Sequence, residues 1–195
     1  TGGPDLSLEA PMDFEPSEKT KLLETQIERF MHEYVYPAEA VAKHQIESSG
    51  DPHHEPKVLE ELKARAKSLG LWNLFLPDAE YGAGLSNLEY APLCEIMGRS
   101  AIAPRIFNCA APDTGNMEIL AEFGSDAQKK KFLKPLLEGK IRSCFSMTEP
   151  EVSSADPTQL TTLAKRDGDS YVLNGHKWFT SGAIGSELAI VMAVT

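Results

Sequence analysis

The sequence predicts an α+β protein of more than one domain. An all-α N-terminal domain over residues 12–140 precedes an antiparallel β-barrel or β-sandwich domain, which is incomplete within residues 141–195. Two observations predict this order. Apolar residues recur every three or four positions in the first part, as they do along one side of a helix. After residue 140 they alternate instead, and several segments become rich in β-branched and aromatic residues.

The first two helices have clear start and stop signals. Ser17 is a good helix cap, Pro37 is a candidate stop, and between them lies the apolar stripe Leu23, Ile27, Phe30 and Tyr34. A second helix is predicted from Pro56, which suits a first turn, to Gly70, which tolerates the left-handed backbone that often closes helices. Residues 1–11 precede this pattern, and we interpret them as a disordered leader, a linker or a cloning remnant.

Capping boxes predict two further helices. Ser86 and Glu89 have the required spacing, so a third helix should begin there and run to Gly98. A fourth is predicted over 115–123. Ser125 and Gln128 repeat the spacing and open a fifth helix, which Pro135 and Gly139 should end.

The β domain is predicted from four segments, at 144–149, 160–166, 171–174 and 188–195. Asp167, Gly168 and Asp169 are typical of a hairpin turn between the second and third. A sheet of only four strands would have unpaired edges, and the last predicted strand is apolar up to Thr195. We therefore expect this domain to be incomplete in the chain.

Composition narrows the class of function. The 195 residues are 42% hydrophobic and 25% charged, as in globular proteins, and the net charge of −10 disfavours nucleic-acid binding. Three widely spaced cysteines suggest neither disulfides nor a zinc site. No apolar run is long enough to span a membrane. We expect a soluble protein of a reducing compartment: bacterial cytoplasm, or a mitochondrion or peroxisome.

Two segments carry residues suited to binding a flat aromatic ring, namely 145–148 and 178–181. Each combines aromatic or apolar side chains with hydroxyl groups, which a flavin's isoalloxazine ring requires at its face and edge. The alternative is that Phe145, Met147, Trp178 and Phe179 fill the core. His176 is either an edge donor for the ring or an exposed hairpin histidine.

Other chemistries find less support. Glu149 and Glu151 flank a proline, so a turn with solvated acids is favoured over acid–base catalysis. His53 and His54 show no further converging metal ligands. The chain also lacks the serine elbow of α/β-hydrolases and the glycine fingerprint of dinucleotide-binding folds.

Three motifs in order resemble the acyl-CoA dehydrogenases, especially the subgroup of members ten and eleven. They are FGSDAQKKKFLKPLLEG (123–139), CFSMTEPEVSSAD (144–156) and YVLNGHKWFTSG (171–182). The resemblance implies an N-terminal helical domain, a central β domain and a C-terminal four-helix domain around FAD. It also implies an acyl-CoA substrate, electron-transfer flavoprotein as partner, and homodimers or homotetramers, with a role in fatty-acid oxidation.

The resemblance also implies site residues. The cofactor-binding positions are Phe145, Met147, Thr148, Ser154, Phe179, Thr180 and Ser181, and the substrate-binding positions are Ala155 and Asp156. Phe179 stands where the family often has tryptophan, Ser181 replaces a threonine, and Ala155 replaces the usual serine. No residue matches the family's catalytic glutamate, which belongs to the C-terminal domain.

Three hypotheses follow from the resemblance. The first is an FAD-dependent acyl-CoA dehydrogenase that introduces an α,β double bond into an acyl thioester. The second is a flavin-dependent acyl-CoA oxidase, which passes electrons to oxygen. The third is a non-catalytic module that binds acyl-CoA or retains the FAD-binding fold.

Overall fold

The computed structural model describes residues 14–153 and 156–195, so the predicted leader, residues 1–11, lies outside the described part. Helices and loops alternate first, and strands follow. The helices are α1 (Glu18–Phe30), α2 (Tyr36–Ser49), α3 (Lys57–Ser68), α4 (Asn87–Met97), α5 (Ala103–Ile106), α6 (Asp113–Phe123), α7 (Asp126–Gln128) and α8 (Lys134–Leu137). The strands are β1 (Ser143–Ser146), β2 (Leu163–Asp167), β3 (Ser170–Asn174) and β4 (Leu188–Val191), with a 3-10 turn at Pro157–Gln159.

Local capping chemistry places most helix starts where the sequence predicts them. Ser17 Oγ accepts a hydrogen bond from Thr20 N at 3.2 Å, and Ser86 and Ser125 both head complete capping boxes. The helix predicted from residue 115 begins two residues earlier, at Asp113. The sequence analysis missed α5, because four residues are too few to show a period.

Pro37 and Pro135 lie inside helical segments that continue across a π turn. One-turn π-helices, Met31–Val35 and Lys129–Leu133, connect α1 to α2 and α7 to α8. Pro37 and Pro135 occupy the first turn of the α-helix that follows each of them. A proline lacks an N–H group and its ring collides with the carbonyl four residues earlier in a regular α-helix. The wider π turn shifts the hydrogen-bond pattern just before each proline, so the chain stays helical. The prediction that Pro37 ends the first helix was wrong for this reason.

The helices enclose two apolar clusters. The larger contains side chains of α1 to α5, among them Ile27, Phe30, Leu59 and Leu93, all at most 2% exposed. The smaller lies under α6 and α8 and contains Met117, Leu120, Leu133 and Leu136. Ile141 and Leu188 pack against this smaller cluster from the strand region. Burial of apolar surface therefore fixes the start of the β region on the helices.

The strands form two pairs with different directions. β2 and β3 pair antiparallel around the predicted hairpin, from Leu163 opposite Asn174 to Asp167 opposite Ser170. β1 and β4 pair in parallel, with Ser143 opposite Leu188. The expectation of antiparallel pairing throughout was wrong for this second pair, because a crossover of about 40 residues, which no tight hairpin could replace, separates its strands. A closed barrel or sandwich stays a prediction.

Two backbone bonds connect the pairs, since Ala164 N donates to Val194 O and Val194 N to Thr162 O, both at 2.8 Å. Within residues 14–153 and 156–195, none of the helices has the length and apolar character required to cross a bilayer.

Candidate functional site

The fold brings the two predicted ring-binding segments side by side. The chain leaves β1 through residues 147–149, and the loop after β3 runs along this segment. Trp178 N donates to Thr148 O at 3.1 Å, and Ser146 Oγ lies 3.2 Å from Thr180 Oγ1. Lys177 Nζ donates to Met147 O at 2.8 Å. Contacts at three consecutive residues, 146 to 148, therefore hold the two segments in one alignment.

A buried carboxylate lies at the centre of this junction. Glu149 is 1% exposed, and its Oε1 accepts hydrogen bonds from Lys177 Nζ and Thr162 N, both at 2.9 Å. Its Oε2 accepts from the backbone N and the hydroxyl of Thr161, both at 2.7 Å. Desolvation by itself raises the pKa of Glu149, but hydrogen bonding by Thr162, Lys177 and Thr161 outweighs it and holds the pKa well below its usual range. Glu149 is therefore an ionised anchor with its donors in place.

This geometry corrects one interpretation from the sequence. We expected Glu149 and Glu151 to be solvated acids of a turn. Glu151 is exposed and lies 3.2 Å from Nδ1 of the exposed His176. Glu149 is instead buried and paired with Lys177, whose side chain is only 11% exposed. The sequence analysis missed Lys177, although a lysine within a segment of glycine and aromatic residues was a usable signal.

An aromatic surface flanks the junction. The Trp178 and Phe179 rings lie 4.6 Å apart, centroid to centroid, at an interplanar angle of 41°. Phe179 is 78% exposed and has φ 49°, in the left-handed region that bulky residues rarely adopt. A large apolar ring held in strain and in solvent suggests a surface built to be covered by a ligand. Phe145 and Thr148, on the first segment, are half-buried.

The remaining predicted site residues lie outside the junction around Glu149 or outside the described residues. Ser181 is exposed, on the loop that follows Thr180. Asp156 caps the 3-10 turn, where its carboxylate accepts from Thr158 N at 3.0 Å and Gln159 Nε2 at 3.2 Å. Hydrogen bonds from Thr158 and then Gln159 lower the pKa of Asp156. Ser154 and Ala155 lie outside the described residues.

A groove of about 640 Å³ between α1 and α3 contains none of the predicted site residues. Phe30, Tyr34 and Leu71 are among its lining side chains, with Arg29 and Glu33 also contributing. This groove therefore lies apart from the predicted site. In the described part of the molecule, His, Cys, Asp and Glu side chains form no group of three or more that could hold a metal ion.

Sequence comparison matches almost the whole described chain to one family. The model of the acyl-CoA dehydrogenase N-terminal domain matches residues 17–140, and that of the acyl-CoA dehydrogenase middle domain matches residues 144–195. Mouse acyl-CoA dehydrogenase family member 10 is 50% identical over 174 residues, which are 86% of this chain and 16% of that protein. Chicken family member 11 is 48% identical and is matched by 93% of this chain, over 24% of its own length.

Solved structures show the same relationship. An acyl-CoA dehydrogenase-like protein of Mycobacterium abscessus superposes with a TM-score of 0.84 at 47% identity, over 91% of this chain and 46% of that one. A glutaryl-CoA dehydrogenase of Mycobacterium smegmatis, solved in complex with FADH2, superposes with a TM-score of 0.67 at 23% identity, over 91% and 42%. The chain thus spans less than half the length of these relatives. From the two matched domain models and the identity of about half to members 10 and 11, the chain belongs to the acyl-CoA dehydrogenase family.

Proposed function

We propose that this chain provides the helical domain and part of the flavin-binding domain of an FAD-dependent acyl-CoA dehydrogenase. The reaction would introduce an α,β double bond into an acyl-CoA thioester. One observation carries the proposal: segments 145–148 and 177–181, far apart in sequence, are hydrogen-bonded side by side next to an exposed aromatic ring. A relative solved with FADH2 supports the choice of cofactor.

The residues present fit a flavin ring. Phe179 offers a flat apolar face that solvent reaches, and Phe145 offers further apolar surface. Thr148 and Ser181 offer hydroxyl groups for the polar edge of the ring. By resemblance, Thr148 would contact the pyrimidine side and Ser181 the region of flavin N5. FAD, when bound, would supply the acceptor for the hydride that leaves the acyl chain.

The chain's own contribution would be binding and orientation. Glu149 and Lys177 hold the two segments together, so the hydroxyl and aromatic groups keep a fixed spacing before any ligand arrives. Such preorganisation lowers the cost of binding, since fewer side chains need ordering when the ligand is bound. The family's catalytic glutamate matches no residue here, so we assign no catalytic base to this chain.

Partners and setting are also proposals. An acyl-CoA would be the substrate, electron-transfer flavoprotein would receive the electrons, and the assembly would be a homodimer or homotetramer. A reducing compartment is proposed from the free cysteines Cys94, Cys109 and Cys144. Transfer of electrons to oxygen, or acyl-CoA binding without any redox step, are the alternatives that an experiment must separate.

The test is an anaerobic visible spectrum of the full-length protein with a panel of acyl-CoAs. Yellow protein that is bleached by one acyl-CoA supports the dehydrogenase half-reaction, and peroxide formation in air would instead indicate an oxidase. Colourless protein that still binds acyl-CoA would refute FAD-dependent catalysis and favour the binding module.

A matched pair of variants locates the flavin. Phe179 and Phe123 are similarly exposed, at 78% and 73%, but Phe123 ends α6 outside the predicted site. Phe179→Ala should weaken FAD binding about tenfold, which corresponds to about 1.4 kcal/mol of lost ring contact. Phe123→Ala should leave the affinity unchanged. Equal effects of the two substitutions would contradict the assigned site.

A further inference from the structure

Side chains from α6 meet β1 in a second buried polar cluster, apart from the Glu149 network. Asp113, Asn116 and Ser143 are 5%, 1% and 0% exposed. Asp113 and Asn116 are three residues apart on α6, so both face the same neighbour. That neighbour is the first residue of β1, Ser143.

The hydrogen bonds in the cluster join the two helix side chains to both side-chain and backbone atoms of residues 142–144. Asp113 Oδ1 accepts from Ser143 N at 2.7 Å and from Ser143 Oγ at 2.6 Å, and Asp113 Oδ2 accepts from Arg142 Nε at 2.9 Å. Asn116 Nδ2 donates to Ser143 Oγ at 2.9 Å and to Cys144 O at 3.1 Å. Two side chains of one helix thus bind an N–H and a C=O of consecutive strand residues.

This pattern fixes the register of β1 against the helical domain. A slip by one residue would turn every side chain of the strand to its other face. It would also leave the buried carboxylate of Asp113 without its donors, which is costly because a buried charge needs its partners. The anchored residue, Ser143, lies two positions before Phe145 and five before Thr148. The cluster therefore sets which side chains of the strand face the loop at 177–181.

We propose that Asp113 and Asn116 are positioning residues for the flavin-contacting strand, acting through Ser143. The inference rests on the proposed function, because it assigns these residues a role in FAD binding. Among the described residues, the side-chain hydrogen bonds of Asp113 and Asn116 go to residues 142–144 and to no predicted ring-binding side chain. Their effect on the flavin would arise through the placement of β1.

A matched pair of serines tests the proposal in the full-length protein. Ser143 Oγ donates to Asp113 Oδ1 at 2.6 Å, and Ser100, 3% exposed, donates to Glu39 Oε1 at the same distance. Among the described residues, the side-chain hydrogen bonds of Ser100 join it to Glu39 and Ile102 and not to β1. Ser143→Ala and Ser100→Ala should therefore lose similar stability. Only Ser143→Ala should weaken FAD binding, by about tenfold, and shift the visible bands of the bound flavin.

Asn116→Ala serves as a second variant, because it removes the bonds to Cys144 O and Ser143 Oγ while Asp113 keeps its own partners. It should also shift the flavin spectrum. An FAD dissociation constant within twofold of wild type and unchanged bands in both Ser143→Ala and Asn116→Ala would overturn the positioning role. An equal flavin effect from Ser100→Ala would overturn it too, since general destabilisation would then suffice.

FAD binding by the wild-type protein distinguishes a failure of the positioning role from a failure of the proposed function. If wild type binds no FAD, the proposed function fails, and the positioning role fails with it. If wild type binds FAD and the variants bind it equally well with the same spectrum, only the positioning role fails.

Discussion

Gly175 offers a sharp test of how tightly the candidate site is packed. It directly follows β3 and lies against Thr162, which precedes β2. A Cβ added at Gly175 would lie 2.6 Å from Thr162 Cβ and 2.7 Å from Thr162 Cα, closer than real Cβ atoms approach their neighbours. Thr162 N donates to the buried Glu149. We therefore predict that Gly175→Ala displaces Thr162 and loosens the Glu149 network.

The expected cost follows from the nature of the clash. The added Cβ would also collide with Thr162 Oγ1, which could rotate aside, but no rotamer change can move the Cα and Cβ of Thr162. Forcing a methyl group into such a packed place costs about 1–3 kcal/mol. We expect ~2 kcal/mol, which lowers the urea midpoint by about 1 M if the slope is ~2 kcal/mol/M.

Urea unfolding of the full-length protein, followed by tryptophan fluorescence, measures this cost. Gly115→Ala is the matched control, because Gly115 lies inside α6 and a Cβ there meets nothing within 4 Å. Alanine favours a helix over glycine by up to about 1 kcal/mol, so this control should unfold at the same or a higher urea concentration. A Gly175→Ala midpoint equal to that of wild type would refute the close packing of Gly175 on Thr162.

Three further outcomes follow from the structure. Glu149→Gln should destabilise the protein at pH 7. Because the folded pKa of Glu149 lies well below its usual range, its contribution is complete above the unfolded value of about 4.3 and is lost gradually as the pH falls towards the folded pKa. The difference between the urea midpoints of wild type and variant should therefore begin to shrink below about pH 4. Phe179→Gly should raise the stability of the flavin-free protein by about 1 kcal/mol, since it relieves the left-handed backbone at φ 49°, and an unchanged melting curve would contradict the strain. Ser86→Ala should cost about 1 kcal/mol through the lost capping box and should speed amide exchange in the first turn of α4, whereas slow exchange there would contradict a role for the cap.

Features of the fold that depend on neighbouring residues were predictable from the sequence. Ser86 and Glu89 cap a helix through bonds across three residues, so the pattern is visible in the chain itself. The hairpin around Gly168 is equally local, and its φ of 60° requires little from the rest of the fold. Pro37 was predicted wrongly, because the π turn before it gives no recognisable sequence signal. With that turn in place, the proline lies in the first turn of α2 and does not end the helix.

Features that depend on distant partners were not predictable from single residues. Glu149 gains its donors from Thr161, Thr162 and Lys177, which lie 12 to 28 positions further along the chain. Beside a proline it has the composition of a solvated turn, and only tertiary packing buries it. The resemblance implied that both ring-binding segments contact the flavin, but neither composition nor periodicity indicated that a lysine would join them.

In both buried networks a carboxylate holds a neighbouring segment by accepting hydrogen bonds from its backbone and its hydroxyl group. Asp113 Oδ1 accepts both the backbone N–H and the hydroxyl of Ser143, and Glu149 Oε2 accepts both groups of Thr161. An ionised carboxylate suits this place because it only accepts, and its two oxygens offer about four lone-pair sites. In an amide of equal size an NH₂ group replaces one of the two oxygens, so a donor would face the donors that this oxygen binds. Both strand segments are therefore held by charge as well as by shape, and replacement by Asn or Gln should disturb them although it preserves volume.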